Sequence, residues 1–387
     1  MSIMYEQAMN SVADTRSGEP SAHAPGTDER PTADGSGAPP GEKTQTSRLL
    51  AVRLDGLGDV ILTGPAIRAL AACCDSLTLL TGPAGAEAAA LLPGVDEILV
   101  YEAPWSEADA PPLDLGRLRF LEHELDLRDF DEAVVFTSFH ESPLPTALLL
   151  RIAGVPRISA ISTDYSGSLL DVRHRVDDGI PEPERAVSLA AAAGFSLPPE
   201  DDGRLSLLRP LPAVHGLAPA GEYVVVHPGC SAPARSWPTD RWTETVHALT
   251  AAGHVVAVTG TPEERKLTAA VAGEDGIDLG GRTTLAELAA VLRGAQVAIA
   301  PNTGPAHLAA AVGTPVVSLF APVVPAARWA PYGVPTVLLG DQHAACAGSR
   351  ARVCPVAGHP CLNSVTAFDV VKAVEKLRHA GKPETDR

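Results

Sequence analysis

The segment Arg48–Ala72, RLLAVRLDGLGDVILTGPAIRALAA, decides the fold. Leu49 to Leu54 make an apolar run of strand length, Asp55 to Asp59 make a loop carrying Gly56 and Gly58, and Val60 to Ala72 repeat apolar residues at helical spacing. The stretch therefore reads as strand, glycine-bearing loop and helix. Gly56 and Gly58 permit a tight turn and close ligand approach, but Ile61 stands where a dinucleotide fingerprint would carry its third glycine.

Working outward, units of the same kind follow. Strands are expected at Leu77–Leu80, Glu97–Tyr101 and Ala133–Thr137, with helices at Leu115–Leu127 and Leu144–Ala153. The stretch Ser196–Gly221, rich in Pro, Gly and Asp, carries no sustained periodicity and reads as a linker. Alternation then restarts: strands at Tyr223–His227, His254–Thr259, Val297–Ala300, Val316–Phe320 and Val337–Leu339, with helices at Thr239–Ala252, Pro262–Ala272, Leu285–Leu292 and Pro305–Ala311. Such alternation predicts an α/β protein of two Rossmann-like, doubly wound lobes, one over 48–205 and one over 206–387, with ligands in the cleft at the carboxyl ends of the strands. Residues 1–47, dense in Ser, Thr, Gly, Pro and acidic residues, read as a disordered tail.

The chain has 387 residues, 45% hydrophobic and 20% charged, enough to bury two cores. A net charge of −17 argues against non-specific attraction to nucleic acid or to an anionic membrane, so a phosphate-bearing ligand would need a local cation. Every apolar run is too short to span a bilayer. Glu6 and Asp14 occupy the region where a signal peptide would be basic and then apolar. The expected location is the cytoplasm, with a peripheral position at the inner face of the membrane left open, and the six cysteines are expected to start reduced.

Four motifs fall at strand ends. In the first, Asp59 stands near a helix N-terminus, where the dipole favours its ionised form, and a carboxylate there can take a proton from a sugar hydroxyl; it could equally serve only as a helix cap. In the second, His227-Pro228-Gly229-Cys230-Ser231 leads to Arg235-Ser236-Trp237-Pro238. Arg235 offers a planar fork suited to pyrophosphate oxygens, and the backbone at Gly229 to Ser231 could add an anion nest, unless the Arg-Trp pair only packs the next helix. In the third, Gly260 turns into Thr261-Pro262-Glu263-Glu264, whose acidic residues could accept from a ribose or merely cap the helix. The fourth, Asn302-Thr303-Gly304-Pro305-Ala306-His307, opens a helix whose first N–H groups are suited to phosphate, with capping by Asn302 or Thr303 as the plainer role.

His343, Cys346, Cys354, His359 and Cys361 share a loop before the last helix, but their spacing is not that of a zinc knuckle. Packed reduced cysteines, a disulfide and a structural metal all stay open there. Cys73 and Cys74 are placed on the apolar side of the first helix.

Taken together, Gly58-Asp59-Val60 with Thr63 and Pro65, His227-Pro228-Gly229, Arg235-x-Trp237-Pro238, Gly260-x-Pro262-x-Glu264, Asn302-Thr303-Gly304-Pro305-x-His307 and Phe320-Ala321-Pro322 resemble glycosyltransferase family 9, the heptosyltransferase type. The resemblance runs from Arg48 to about Leu377. It implies a GT-B fold, an N-terminal acceptor lobe, a C-terminal lobe for an ADP-sugar, and inverting transfer that needs neither metal nor cofactor. It assigns Asp59 as general base, with Gly56, Gly58 and Thr63 in the acceptor-side loop. It places His227, Gly229, Ser231, Arg235, Gly260, Glu264, Asn302, Thr303, Gly304 and His307 on the donor, Arg235 at its phosphates and Glu264 at its ribose. Two positions depart from the family pattern: Asn302 stands where an Asp is frequent, and Arg235 where Lys is frequent. The implied partners are a nucleotide diphosphate sugar and a glycan, lipid-linked or small-molecule acceptor. A nucleotide-sugar epimerase on the same architecture and a non-catalytic nucleotide-sugar-binding protein are the rival readings.

Overall fold

The computed structural model describes residues 46–106, 110–138 and 141–379. The tail expected over 1–47 lies outside those residues except for its last two, which already belong to the first strand. The first half runs β1 (Thr46–Arg53), α1 (Leu57–Leu62), α2 (Gly64–Ala71), β2 (Cys74–Thr81), α3 (Ala86–Ala89), β3 (Glu97–Val100), α4 (Leu115–Arg128), β4 (Glu132–Phe136), α5 (Leu144–Ile152), β5 (Ile158–Ile161), β6 (Val172–His174) and α6 (Glu182–Ala193). The second runs β7 (Val224–Val226), α7 (Thr239–Ala251), β8 (Val256–Val258), α8 (Arg265–Ala272), β9 (Ile277–Asp278), α9 (Leu285–Gly294), β10 (Val297–Pro301), α10 (Gly304–Ala311), β11 (Val316–Leu319), α11 (Ala326–Trp329), β12 (Thr336–Leu339), α12 (Pro360–Asn363) and α13 (Ala367–His379).

Each half builds one wholly parallel six-stranded sheet, ordered β3-β2-β1-β4-β5-β6 and β12-β11-β10-β7-β8-β9. The second order is the first read from its other edge, so both lobes are doubly wound about a central pair, β1/β4 and β7/β10. The central strands are apolar throughout because helices cover both faces; Leu49 to Val52 and Val224 to Val226 are fully buried. At the central pair the connections diverge to opposite sides, leaving a crevice at the strand ends where ligands can settle.

The helix expected over Val60–Ala72 differs in two ways. It starts at Leu57, which puts Asp59 inside the first turn rather than in the loop, and it breaks at Thr63 into α1 and α2. Pro65 is the cause of the break, since it has no N–H to offer the carbonyl of Ile61. Cys73 and Cys74 are not helical: Cys74 pairs with Thr46 and opens β2, so the parallel ladder overrides the continuing helical pattern.

One apolar cluster runs from Leu49, Leu77 and Val134 in the first sheet, through Ile61 and Leu62 of α1, to Ala306 and Leu308 of α10 and Val225 and Ala298 of the second. The lobes thus meet through α1 and α10. The segment 196–221 holds neither helix nor strand, yet its first part is tied to the first lobe. Arg68 of α2 grips both Asp201 oxygens, Ser206 Oγ and the carbonyl of Arg204, Leu205 and Leu207 are buried, and Leu208 N donates to Leu91 O at 2.8 Å. A bidentate arginine–carboxylate pair fixes orientation as well as charge.

Candidate active site

At the β1/β4 crevice the last residue of β1 is Arg53, a cation buried inside an apolar strand. Its Nη2 reaches Asp55 Oδ2 at 2.7 Å, Asp59 Oδ1 at 3.1 Å and Ser138 Oγ at 3.1 Å. Burial works against the guanidinium charge, but Asp55, Asp59 and Glu182 more than offset it, so its pKa is raised. Ser138 links the set by donating Oγ to Asp55 Oδ2 at 2.7 Å and its N–H to Glu141 Oε2 at 3.1 Å. Burial, followed by Asp55 beside it, pushes Glu141 up to about 9, so at neutral pH it stays protonated and hydrogen-bonds the Asp55 carboxylate.

The sequence led us to expect the helix dipole to hold Asp59 ionised. Instead burial, opposed by Arg53 and reinforced by Asp55 and Glu182, raises it from 3.8 to about 6. A helix of 6 residues has too small a dipole to outweigh desolvation beside other carboxylates. Its Oδ1 accepts from Arg53 and, at 3.3 Å, from Trp329 Nε1, while Oδ2 takes no hydrogen bond from any described residue. The side chain remains 27% exposed. It is a carboxylate anchored through one oxygen and open at the other, with a pKa suited to accepting a proton near neutral pH.

Asp55 and Glu141 line a small recess together with Trp105, Thr137, Ser142 and Thr146, among others. Trp105 Nε1 donates to Thr146 Oγ1 at 2.9 Å, and Thr137 Oγ1 is buried without a partner among the described residues. Gly56 caps α1 and stays partly open. Thr63, expected in this acceptor-side loop, lies elsewhere: it is buried at the α1–α2 junction with its hydroxyl bonded to Asp59 O at 2.8 Å.

The β7/β10 crevice gathers most of the residues expected on the donor. His227 follows β7, with Nδ1 3.0 Å from Thr259 Oγ1 and Nε2 3.9 Å from Glu264 Oε2. Burial, only partly countered by Glu264, takes it down to about 4, so it is neutral. A side chain at Gly229 would strike the Glu264 carboxylate, so glycine is what lets that carboxylate close over the turn. Glu264 Oε2 accepts from Thr261 N at 2.9 Å, completing a capping box at the turn after Gly260. Ser231 is exposed at the rim. Arg235 ends a short 3-10 turn and donates Nη1 to the Asn302 carbonyl at 3.0 Å.

Asn302 is 4% exposed, yet neither its amide oxygen nor its nitrogen has a partner among the described residues. Capping is the plainer alternative for Asn302 and Thr303, but no side chain caps α10: Thr303 Oγ1 turns back to Pro301 O at 3.5 Å. His307, one turn on, is buried and neutral, lowered to about 4 by burial and by Arg235, with Nδ1 unpartnered. Buried polar groups are nearly always satisfied, so these atoms beside an arginine are available to a polar ligand.

The lobes touch where these two sites face each other. A Cβ on Gly58 would lie 2.9 Å from His307 Cδ2 and 3.4 Å from Gly304 Cα, and one on Gly304 would strike Leu57. From the second lobe, residues 328–332 reach over α6 of the first. Arg328 pairs with Asp178 and Glu182, Tyr332 OH donates to Glu184 Oε1 at 3.1 Å, and Trp329 meets Asp59. The sequence reading missed Arg53, Asp55, Glu141, Glu182 and Trp329. The available signals were a charge inside the apolar strand Leu49–Leu54 and an Arg-Trp pair soon after a strand end.

In the cysteine-bearing segment all thiols are free, with Cys346 and Cys361 buried in the second core. Burial and the neighbouring Cys346 and Cys354 push Cys361 up to about 11. The segment braces the Arg235 loop: Ala234 N donates to Arg352 O at 2.8 Å, His359 Nε2 lies 3.0 Å from Ala234 O, and Trp237 Nε1 donates to Leu362 O at 3.0 Å. Among the described residues no group of three or more His, Cys, Asp or Glu is placed to hold a metal ion, and no helix is long and apolar enough to cross a membrane.

Two doubly wound lobes meeting at the ends of their central strands form the GT-B architecture. The family model of glycosyltransferase family 9 (heptosyltransferase) matches residues 119–359, so the chain belongs to that family and is a glycosyltransferase of the heptosyltransferase type. Lipopolysaccharide heptosyltransferase 1 of Pseudomonas aeruginosa is 29% identical over 317 residues, 79% of this chain and 87% of that protein. In fold the chain is similar to the family 9 glycosyltransferase of Veillonella parvula, with TM-score 0.69 and 18% identity over 87% of this chain and 99% of that one. It is also similar to an Escherichia coli heptosyltransferase crystallised with ADP-2-deoxy-2-fluoro heptose, with TM-score 0.63 and 20% identity over 85% and 99%.

Proposed function

We propose that the chain moves a heptosyl or closely related sugar from an ADP-linked donor to a hydroxyl of a glycan, lipid-linked or small-molecule acceptor, with inversion and without a divalent metal. One observation supports the reading: Asp59, held through Oδ1 and open at Oδ2, follows Gly58, which packs against Gly304 and His307 of α10, the helix that opens just after the unpartnered Asn302 amide, whose carbonyl Arg235 holds. An ADP-linked donor is supported by the Escherichia coli heptosyltransferase of similar fold, whose structure holds an ADP-heptose analogue.

In this reading the acceptor binds at the first lobe, beside Gly56 and Gly58, and its O–H gives its proton to Asp59 Oδ2. The freed oxygen attacks the anomeric carbon from the face opposite the diphosphate, the bond to the diphosphate oxygen breaks, and its electron pair leaves with the nucleotide. Attack opposite the leaving group inverts the centre. Arg235, with Gly229 and Ser231 beside it and the α10 end at Thr303 and Gly304, meets the charge growing on the leaving diphosphate, the part a metal plays elsewhere. Neutral His227 and His307 shape the pocket, and Glu264 keeps Oε1 for the ribose while Oε2 holds the turn after Gly260.

The test is calorimetric binding of ADP, UDP and GDP, followed by transfer from ADP-heptose to a panel of sugar acceptors in EDTA. Tightest binding of ADP, an inverted linkage by NMR and a rate unchanged by EDTA are expected. No preference for ADP, a retained anomer or dependence on added metal would each overturn the corresponding part.

A further inference from the structure

A base on one lobe that is finished by a residue of the other can sense whether the lobes are together. Asp59 shows this arrangement. Its Oδ1 takes one hydrogen bond from Arg53 of its own lobe and one from Trp329, 270 positions along the chain on α11. Trp329 is set by its neighbours: Arg328, 4% exposed, is clasped by Asp178 and Glu182, and Tyr332 is bound to Glu184. Residues 328–332 are thus a strap from the donor lobe, fastened to α6, that ends on the catalytic carboxyl. We propose that Trp329 is a positioning residue that completes the base only when the lobes are closed. Its indole N–H fixes Asp59 Oδ1 and leaves Oδ2 to receive the acceptor proton.

The physical reason is that a hydrogen bond to the charged form of a carboxylate orients it and favours ionisation. The other charged groups around Asp59 are Arg53 on β1, Asp55 in the loop, Glu182 on α6 with Arg185 and Arg328 about it, and Glu141, protonated, ahead of α5. All but Arg328 belong to the first lobe and stay when the lobes part. His307 on α10 is neutral. Closure therefore brings to the carboxyl one polar contact it otherwise lacks, and readies it only once the donor lobe is in place, a form of induced fit.

The inference rests on Asp59 being the base. Its test is Trp329→Phe in the full chain, with transfer measured from pH 5 to 8. A hydrogen bond to a charged group is worth roughly tenfold or more, so kcat should fall about tenfold, donor KM should stay within about twofold, and the acid limb should move up by about one pH unit. Made in an Asp59→Asn background, the same change should cost nothing further, because residues that act as a unit do not add. An unmoved acid limb with intact donor binding, or a full additive loss in the Asp59→Asn background, would overturn the inference while leaving Asp59 as base. Wild-type transfer by Asp59→Asn alone would overturn the base and this inference with it.

Discussion

Replacing Asp59 by Asn should stop transfer and yet make the protein more stable at neutral pH. A carboxyl raised in the folded chain from 3.8 to about 6 favours folding while it is protonated, and that advantage disappears as pH rises through about 6. At about 1.36 kcal/mol per pH unit the ionised form carries a penalty of roughly 3 kcal/mol above pH 7. Water reaches 27% of the side chain, which trims the figure to about 2 kcal/mol. Asn keeps the shape and escapes the penalty. Urea unfolding at pH 4 and pH 7.5 reads it directly: the variant should match the native chain at the lower pH and exceed it at the higher. Transfer should fall by about a hundredfold or more, as for loss of a general base. Were the carboxylate present only to complement the α1 dipole, Asn would instead cost about 0.3–1 kcal/mol at pH 7.5. A variant less stable than the native chain at that pH would refute the reasoning.

Arg235→Ala should weaken ADP binding by about tenfold or more, since charge-assisted bonds to phosphate are the strong ones, and unchanged affinity by calorimetry would reject its role. Asn302→Ala removes a buried amide with no partner among the described residues, so unfolding free energy should change by less than about 1 kcal/mol while donor affinity drops; a large loss of stability would show the amide to be structural. Gly304→Ala drives a methyl into Leu57 at the lobe contact. It should cost about 1–3 kcal/mol and slow transfer, checked by unfolding and kinetics together.

The sequence carried the parts of the site that local chemistry controls. Glycines at strand ends, prolines in first helical turns and apolar runs of strand length mark the two crevices, and most of the residues expected on the donor, from His227 to His307, gather at the second. Between Ala153 and Ser196 the strands β5 and β6 and the helix α6 escaped notice, as did β9; β6 spans only Val172–His174 and β9 only Ile277–Asp278, too few residues for alternation to register. The α1–α2 break was foreseeable from Pro65, but the location of Thr63 followed from it and was missed with it. Trp329 was illegible for another reason: its partner is 270 positions away in the chain, and only the folding of both lobes brings them together. The carboxyl values were equally hidden, since Glu141 and Asp59 owe theirs to burial among charges supplied by β1, the loop after it and α6.

The clasp of Arg68 on Asp201, Ser206 and the Arg204 carbonyl changes how the halves can swing. Residues 196–208 travel with the first lobe, so any hinge falls within 209–222. A shorter hinge gives each lobe a narrower arc and restricts the paths by which Trp329 can return to Asp59, so reopening and docking should follow one repeatable track.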